Sequence, residues 1–167
     1  SFGEGERGKR LDSVEQIIGC MIEAGLDRGT WVAALGGGVV GDLAGFVAAS
    51  FLRGVDVVQM PTTIVSQVDA SLGGKTGVNH ALGKNLIGAF HQPRLVLSDT
   101  STLRHLPQVE RVAGLAEVVK HSVIRDADMF EFLEDNIESV VTMEIDEEQL
   151  DWLIARNASI KAAVVAA

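Results

Sequence analysis

Lys75 and Lys84 bracket a run that also carries Asn79, His80 and Asn85 among glycines and alanines: "GGKTGVNHALGKNLIGAF", Gly73 to Phe90. Ammonium and amide donors on bare backbone suit a small polyanion, a phosphate or a carboxylate, because little side-chain bulk blocks its approach. Two solvated lysines on an exposed loop are the plainer alternative, and the run has barely enough apolar residues for a strand or a helix. "GGKT" resembles the end of a phosphate-binding P-loop, but that motif needs a glycine where Asp69 stands, so the P-loop reading fails.

A second group is "GGGVVGD", Gly36 to Asp42, which fits G-x-G-x-x-G at Gly36, Gly38 and Gly41. Between a strand and a helix, such glycines let backbone amides at the helix start meet a pyrophosphate. A buried tight turn accounts for a bare match equally well, and the acidic ribose partner is ambiguous, since Asp56 begins the next strand instead of ending it. In "GLAEVVKH", Glu117, Lys120 and His121 fall at i, i+3 and i+4, on one side of a helix. A carboxylate and a histidine so placed can share a metal, yet two ligands do not complete a site. For His121 the favoured reading is an exposed ion-pair face; Glu117, flanked by Ala116, Val118 and Val119, belongs to a largely buried helix.

The elements that must position these groups alternate. Val14, Ile17, Ile18 and Met21 have the spacing of a helical face over Asp12 to Glu23, with Asp12 or Ser13 as cap. "TWVAAL" reads as a strand, the glycines as a turn, and "DLAGFVAASFL" from Asp42 as a helix; "VDVVQMP" and "PRLVLSD" are two further strands. Strands separated by helices imply a parallel sheet with crossovers, an α/β fold. Beyond Leu106 and Pro107 come three amphipathic helices, "ERVAGLAEVVKHSVI", "DADMFEFLEDNIESVV" and "DEEQLDWLIARNASIKAAVVAA", with no strand signal. The expected division is therefore an α/β nucleotide-binding unit over 1–106 and the start of a helical unit over 107–167. The last helix has no stop signal and the chain opens on a charged loop, so both ends read as cut.

Composition bounds the partners. Fourteen basic against 23 acidic side chains give a net charge of −9, which repels nucleic acid and anionic lipid; the absence of tyrosine argues against base-stacking platforms. A hydrophobic share of 47% describes a well-buried globular chain. The most apolar region, Trp31 to Leu52, is interrupted by Asp42 and glycines, so no membrane span is expected, and neither is a signal peptide. Cys20 alone excludes an intrachain disulfide or a cysteine-rich zinc site and reads as core packing in a reducing, cytoplasmic compartment.

Taken in order, "ALGGGVVGDLAGFVAASFLRG", "MPTTIVSQVDASLGGKTGVNHALGKNLIGAFHQP" and "GLAEVVKH" resemble the 3-dehydroquinate synthase family. The resemblance runs nearly without gaps from about Gly5 to the last residue and covers the middle of the family's length. It implies a Rossmann-like domain followed by the start of an all-α domain. The activity implied is NAD- and metal-dependent conversion of the seven-carbon phosphate DAHP into 3-dehydroquinate and phosphate in the shikimate pathway, by a cytoplasmic homodimer. A hydroxyl is transiently oxidised, phosphate is eliminated, the hydride returns, and the ring closes by an aldol step.

The resemblance also assigns residues. Within Glu4 to Lys9, Glu6 and Lys9 would hold the adenosine ribose, and Gly37, Gly38, Val39, Val40, Gly41 and Asp42 the pyrophosphate. Thr62, Thr63, Asp69, Lys75, Lys84 and the turn of Thr102, Leu103, Arg104 and His105 would surround the nicotinamide. Lys75, Asn85 and Lys120 would meet the substrate's phosphate and carboxylate, with Arg53 reaching in from the second subunit; Glu117 would ligate Zn2+ or Co2+. The substrate's own phosphate takes the proton, so no protein general base is named.

Phe51 and His105 depart from the family's tyrosine and threonine. The family's two metal-binding histidines lie beyond this segment, and none of His80, His91, His105 or His121 fits their motif. Little or no synthase activity is therefore expected of the 167 residues alone. The rival readings are a sister sugar-phosphate cyclase such as 2-deoxy-scyllo-inosose synthase, a metal-dependent polyol dehydrogenase, and a non-catalytic NAD-binding or dimerisation fragment.

Overall fold

The computed structural model describes residues 5–167. After a 3-10 turn, Gly5–Gly8, the chain forms helix α1 (Leu11–Glu23), strand β1 (Trp31–Gly36), helix α2 (Gly38–Ser50) and strand β2 (Asp56–Pro61). A hairpin of β3 (Lys75–His80) and β4 (Gly83–Phe90) follows, then β5 (Leu95–Val96) and helices α3 (Gln108–Arg125), α4 (Ala127–Thr142) and α5 (Glu147–Ala166). β1, β2 and β5 make a parallel sheet in that order, with Trp31 opposite Asp56 and Val58 opposite Leu95.

Five local expectations are corrected. The glycine-rich run is not loop: Lys75 pairs with Phe90 and Gly77 with Gly88 in an antiparallel ladder. A Cβ on Gly88 would stand 2.2 Å from Thr76 O, so the scarcity of side chains that hid these strands is what lets them close. α2 starts at Gly38, before Asp42, because its packing against β1 and β3 outweighs the poor helix propensity of "GVVG". α1 starts at Leu11 with Arg10 as an uncapped N-terminus, so Asp12 and Ser13 lie inside its first turn. Cys20 is exposed on α1, whose buried positions are Val14 and Met21. The third predicted strand shrinks to two residues, which bond only to the middle of β2.

Two cores result. Val14, Ala34, Val47, Phe51, Val57 and Val78 fill the space between the sheet, α1, α2 and the hairpin. Leu115, Val118, Met129, Leu133, Leu150 and Leu153 fill the helical layer, and Ile64, Val68 and Leu103 enter that second core from the connections around the sheet. The segment after β2 thus belongs to both layers. Among the described residues, no helix is long and apolar enough to cross a membrane.

The helical layer is pinned at Asp126, which caps α4 by accepting from Met129 N at 3.1 Å and pairs with Arg156 of α5. The guanidinium, foremost, holds this carboxyl below the ordinary aspartate range. A lowered native value means that the contribution is fully present above the unfolded value, about 3.9, and is lost as pH falls through the native one. Asp126→Ala should cost about 1–2 kcal/mol in urea unfolding at pH 7, the range for a lost N-cap. The difference from wild type should shrink at acid pH; an unchanged difference at pH 2 would contradict the assignment.

Candidate functional site

A cleft of about 550 Å3 lies between the β3–β4 hairpin and the stretch that follows β2, a volume suited to a metabolite. Asp42, Asp69, Lys75, Asn85 and Lys161 supply its polar lining, and Leu86 and Phe90 part of its apolar wall. β4 exposes Leu86 and Phe90 on the strand face that carries Lys84, which explains apolar residues at such accessible positions.

One wall is fastened by a buried lysine. Lys9, only 3% exposed, donates to Asp42 and, at 2.6 Å, to Asn85 Oδ1. Asn85, at a left-handed φ of 56°, donates its own amide to Asn79 Oδ1 at 2.9 Å, and Asn79 donates to Glu6 Oε1 at 2.8 Å. The network ties the 5–8 turn, the hairpin and α2 together. The Asn79 hydrogen bond chiefly lowers the Glu6 carboxyl, whereas burial raises that of Asp42 against the pull of Lys9. α2 begins with no side-chain cap and no acid in its first turn, so the amides at Gly38, Val39 and Val40 fit a bound phosphate group.

The opposite wall is the connection after β2. Thr62 N donates to Gly36 O at 2.9 Å, and Thr63 and Ser66 bond side chain to side chain at 2.8 Å. Gln67, fully buried, donates to Pro61 O, Asp99 O and Thr102 Oγ1, fixing the 100–105 turn beside the end of β2. The chain then makes a π-turn, Ser66–Ala70, that presents Asp69. α3 passes so close that a Cβ on Gly114 would stand 2.6 Å from Ile64 Cβ. One ligand atom each from Asp69, Glu117 and His121 consequently lies within 4.8 Å of the others, a set that fits a divalent cation.

His121 is thus not on an exposed ion-pair face: it is 6% exposed, and its Nδ1 is buried without a hydrogen-bond partner. Glu117 is half-buried and pairs with Lys120. Asp69 Oδ1 stands 2.5 Å from Lys161 Nζ, a charge contact without hydrogen-bond alignment. The structure therefore gathers Asp42, Asp69, Lys75 and Asn85 at the cleft, with the start of α2 at its edge. Lys84 lies outside, 3.7 Å from Glu6. Leu103 points into the helical core, Arg104 donates to Met143 O, and His105 is exposed. Arg53 occupies an exposed left-handed turn after α2, roughly 20 Å along that helix from Gly38.

The sequence reading missed Lys161. Its signal was a lone ammonium in "ASIKAAVVAA", a stretch otherwise too apolar to leave it without a partner. Asp69 as a neighbour of Glu117 and His121 had no signal, since the three meet only through the packing of α3 on the 62–72 connection.

Comparison with known proteins places the chain. The 3-dehydroquinate synthase N-terminal family model matches residues 1–113 and the 3-dehydroquinate synthase C-terminal model matches residues 114–167. The 3-dehydroquinate synthases of Shewanella halifaxensis and Geotalea uraniireducens are 52% and 49% identical over 97% of this chain. The chain spans 45% and 44% of their respective lengths. Among solved structures, a 2-deoxy-scyllo-inosose synthase complexed with carbaglucose-6-phosphate, NAD+ and Co2+ superposes with a TM-score of 0.89 at 35% identity, over 98% of this chain and 44% of that one. The 2-epi-5-epi-valiolone synthase of Streptomyces hygroscopicus, with NAD+ and Zn2+ bound, gives 0.88 at 32%, over 93% and 44%. An iron-containing alcohol dehydrogenase from Thermotoga maritima, at 16% identity, shares the fold.

Gly114 gives a direct check on this packing. In an unconstrained helix, Gly→Ala stabilises by up to about 1 kcal/mol. Here the added methyl meets Ile64, so Gly114→Ala should instead destabilise by about 1–3 kcal/mol in urea unfolding, as overpacking does. A stabilised variant would contradict the close approach of α3.

Proposed function

The chain belongs to the 3-dehydroquinate synthase family, and from that premise we propose that its parent protein converts DAHP into 3-dehydroquinate and phosphate. The observation that carries this reading is a single cleft in which Lys75, Asn85 and Lys161 stand beside Asp69, with the uncapped start of α2 at its edge and Glu117 and His121 behind. NAD and a divalent cation are the cofactors, zinc before cobalt; the related cyclases described with NAD+ and Zn2+ or Co2+ support that choice.

NAD supplies, when bound, a reversible hydride acceptor, and the cation polarises the oxygen being oxidised. The chain's own residues bind and orient. The amides of Gly38, Val39 and Val40 face the pyrophosphate, with Gly37 before them and Gly41 and Asp42 completing the turn, and Glu6 and Lys9 hold the ribose end, Lys9 through the buried bonds that set Asp42 and Asn85. Thr62, Thr63, Asp69 and the 102–105 turn border the nicotinamide. Lys75 and the Asn85 amide meet the substrate's phosphate, with Lys84 at the outer edge of the hairpin. Lys161 and Lys120, each against a carboxylate, neutralise carboxylate and developing oxyanion in a site where unpaired charge is costly. The eliminated phosphate itself accepts the proton.

A cytoplasmic homodimer with Arg53 of one subunit completing the other's site fits its distance from the cleft in a single chain. We further propose a boundary near 106, where strands give way to helices. The sister-cyclase reading has the weaker support, 35% identity to 2-deoxy-scyllo-inosose synthase against 52% to a 3-dehydroquinate synthase.

A coupled phosphate-release assay on the full-length parent tests the proposal. DAHP with NAD and zinc should release phosphate, and Lys75→Met should lower kcat by about 10²–10³-fold, as loss of one electrostatic stabiliser does. Release from a hexose 6-phosphate but not from DAHP would favour the sister reading. The 167 residues alone should bind NAD with little or no turnover; sustained DAHP turnover at that intact mass would contradict this.

A further inference from the structure

We propose that Asn79 is a positioning residue for both ends of the site: one carboxamide sets the Glu6 carboxylate that receives the nucleotide's ribose and the Asn85 amide that meets the substrate's phosphate. The inference rests on the function proposed above, which leaves Asn79 without a role.

The hairpin ladder breaks at this residue. Val78 is opposite Ile87 and His80 opposite Gly83, so Lys84, Asn85 and Leu86 of β4 face Asn79 alone. A bulge of this kind leaves backbone groups without ladder partners and re-aims the side chains it carries. Here the Asn79 side chain supplies what the ladder lacks, its Oδ1 accepting from Asn85 N at 2.9 Å. Asn85 sits at a left-handed φ of 56°, a conformation that a residue other than glycine keeps only where its surroundings hold it. The Asn79 bond holds its backbone, and the Lys9 ammonium, 2.6 Å from Asn85 Oδ1, holds its side chain. An ammonium can only donate, so the Asn85 carboxamide is left to offer its Nδ2 donor to an anion in the cleft.

The other end of the Asn79 carboxamide is committed as well. Its Nδ2 donates to Glu6 Oε1 at 2.8 Å, and the Asn79 backbone N donates to Lys9 O at 2.8 Å, which pins the segment carrying Glu6 and Lys9 to the same residue. Both amide directions are forced, since a carboxylate only accepts and a backbone N–H only donates. Asn79 therefore stands between two cavities. With Glu6, Arg7 and Lys84 it lines a hollow of about 300 Å3, while Asn85 lines the larger cleft. Nucleotide and phosphate are thus served from opposite edges of one amide plane, and the two edges can be changed separately.

The test uses the zinc-loaded full-length parent, with calorimetric titration of NAD, and of inorganic phosphate into NAD-saturated protein so that the pyrophosphate site is already filled. Asn79→Asp keeps an oxygen for Asn85 N but sets a second carboxylate against Glu6. It should weaken NAD by at least about tenfold, as loss of a hydrogen bond to a charged group does, and leave phosphate affinity unchanged. Asn79→Ala removes both bonds and should weaken both ligands. Circular dichroism and thermal unfolding check the fold of each variant; the isosteric Asn79→Asp keeps the test decisive if Asn79→Ala fails to fold. A merely structural role would lower thermal stability without separating the two ligands. Equal loss of both ligands in Asn79→Asp, unchanged NAD affinity in that variant, or a folded Asn79→Ala variant that loses only one ligand overturns the proposal. Turnover separates it from the reading it rests on. If DAHP releases phosphate, Asn79→Asp should raise the KM for NAD with kcat little changed, and absence of that split sinks this inference alone. If DAHP releases none while the binding split is seen, the inference stands and the synthase reading falls.

Discussion

The connection after β2 is the constraint on which the rest of the site depends. Thr62 is bonded to the end of β1, Ile64 and Val68 are buried in the helical core, and Gln67 spends its amide on three acceptors from two other segments. A segment so committed has no freedom to shift, and Asp69 is at its end. The π-turn widens the chain's local helical path, a distortion frequent at functional sites. Here it lets one residue serve the sheet side and the helical side at once.

The second constraint is steric emptiness. Gly114 brings α3 onto Ile64, and Gly88 lets the hairpin strands touch backbone to backbone. Larger side chains would separate the lysines of the hairpin from the carboxylates of the helical layer. The acidic whole then matters little: a chain of net charge −9 still brings Lys75 and Lys161 onto one cleft, and local field outweighs global charge over distances shorter than the Debye length.

Legibility in the sequence followed the range of the interactions. The β1, α2 and β2 succession, the three late helices and the glycine fingerprint are written in short-range patterns, and each was readable. The hairpin was not, because its strands are held by cross-strand backbone bonds instead of by alternating apolar residues. Cys20 read as buried from its apolar neighbours but falls on the outer side of α1. His121 read as solvent-facing beside Lys120, yet a helix turn points the two residues differently, and α3 buries the strip that carries Gly114, Leu115, Val118 and His121. Lys9 shows the same limit from the other direction. Nothing local says that a lysine in "GERGKR" will be among the most buried polar residues of the chain, bonded to Asp42 and Asn85.

The account's central claim is that nucleotide and metal meet in one cleft, joined by the 62–72 connection. Crystals of the full-length parent grown with NAD and Co2+, with anomalous data collected at the cobalt edge, test it most directly. The account predicts a cobalt peak beside the Glu117 carboxylate, with the dinucleotide running from the start of α2 into the same cleft. A cobalt peak at His80 or His91, or a dinucleotide on another face of the sheet, would contradict it.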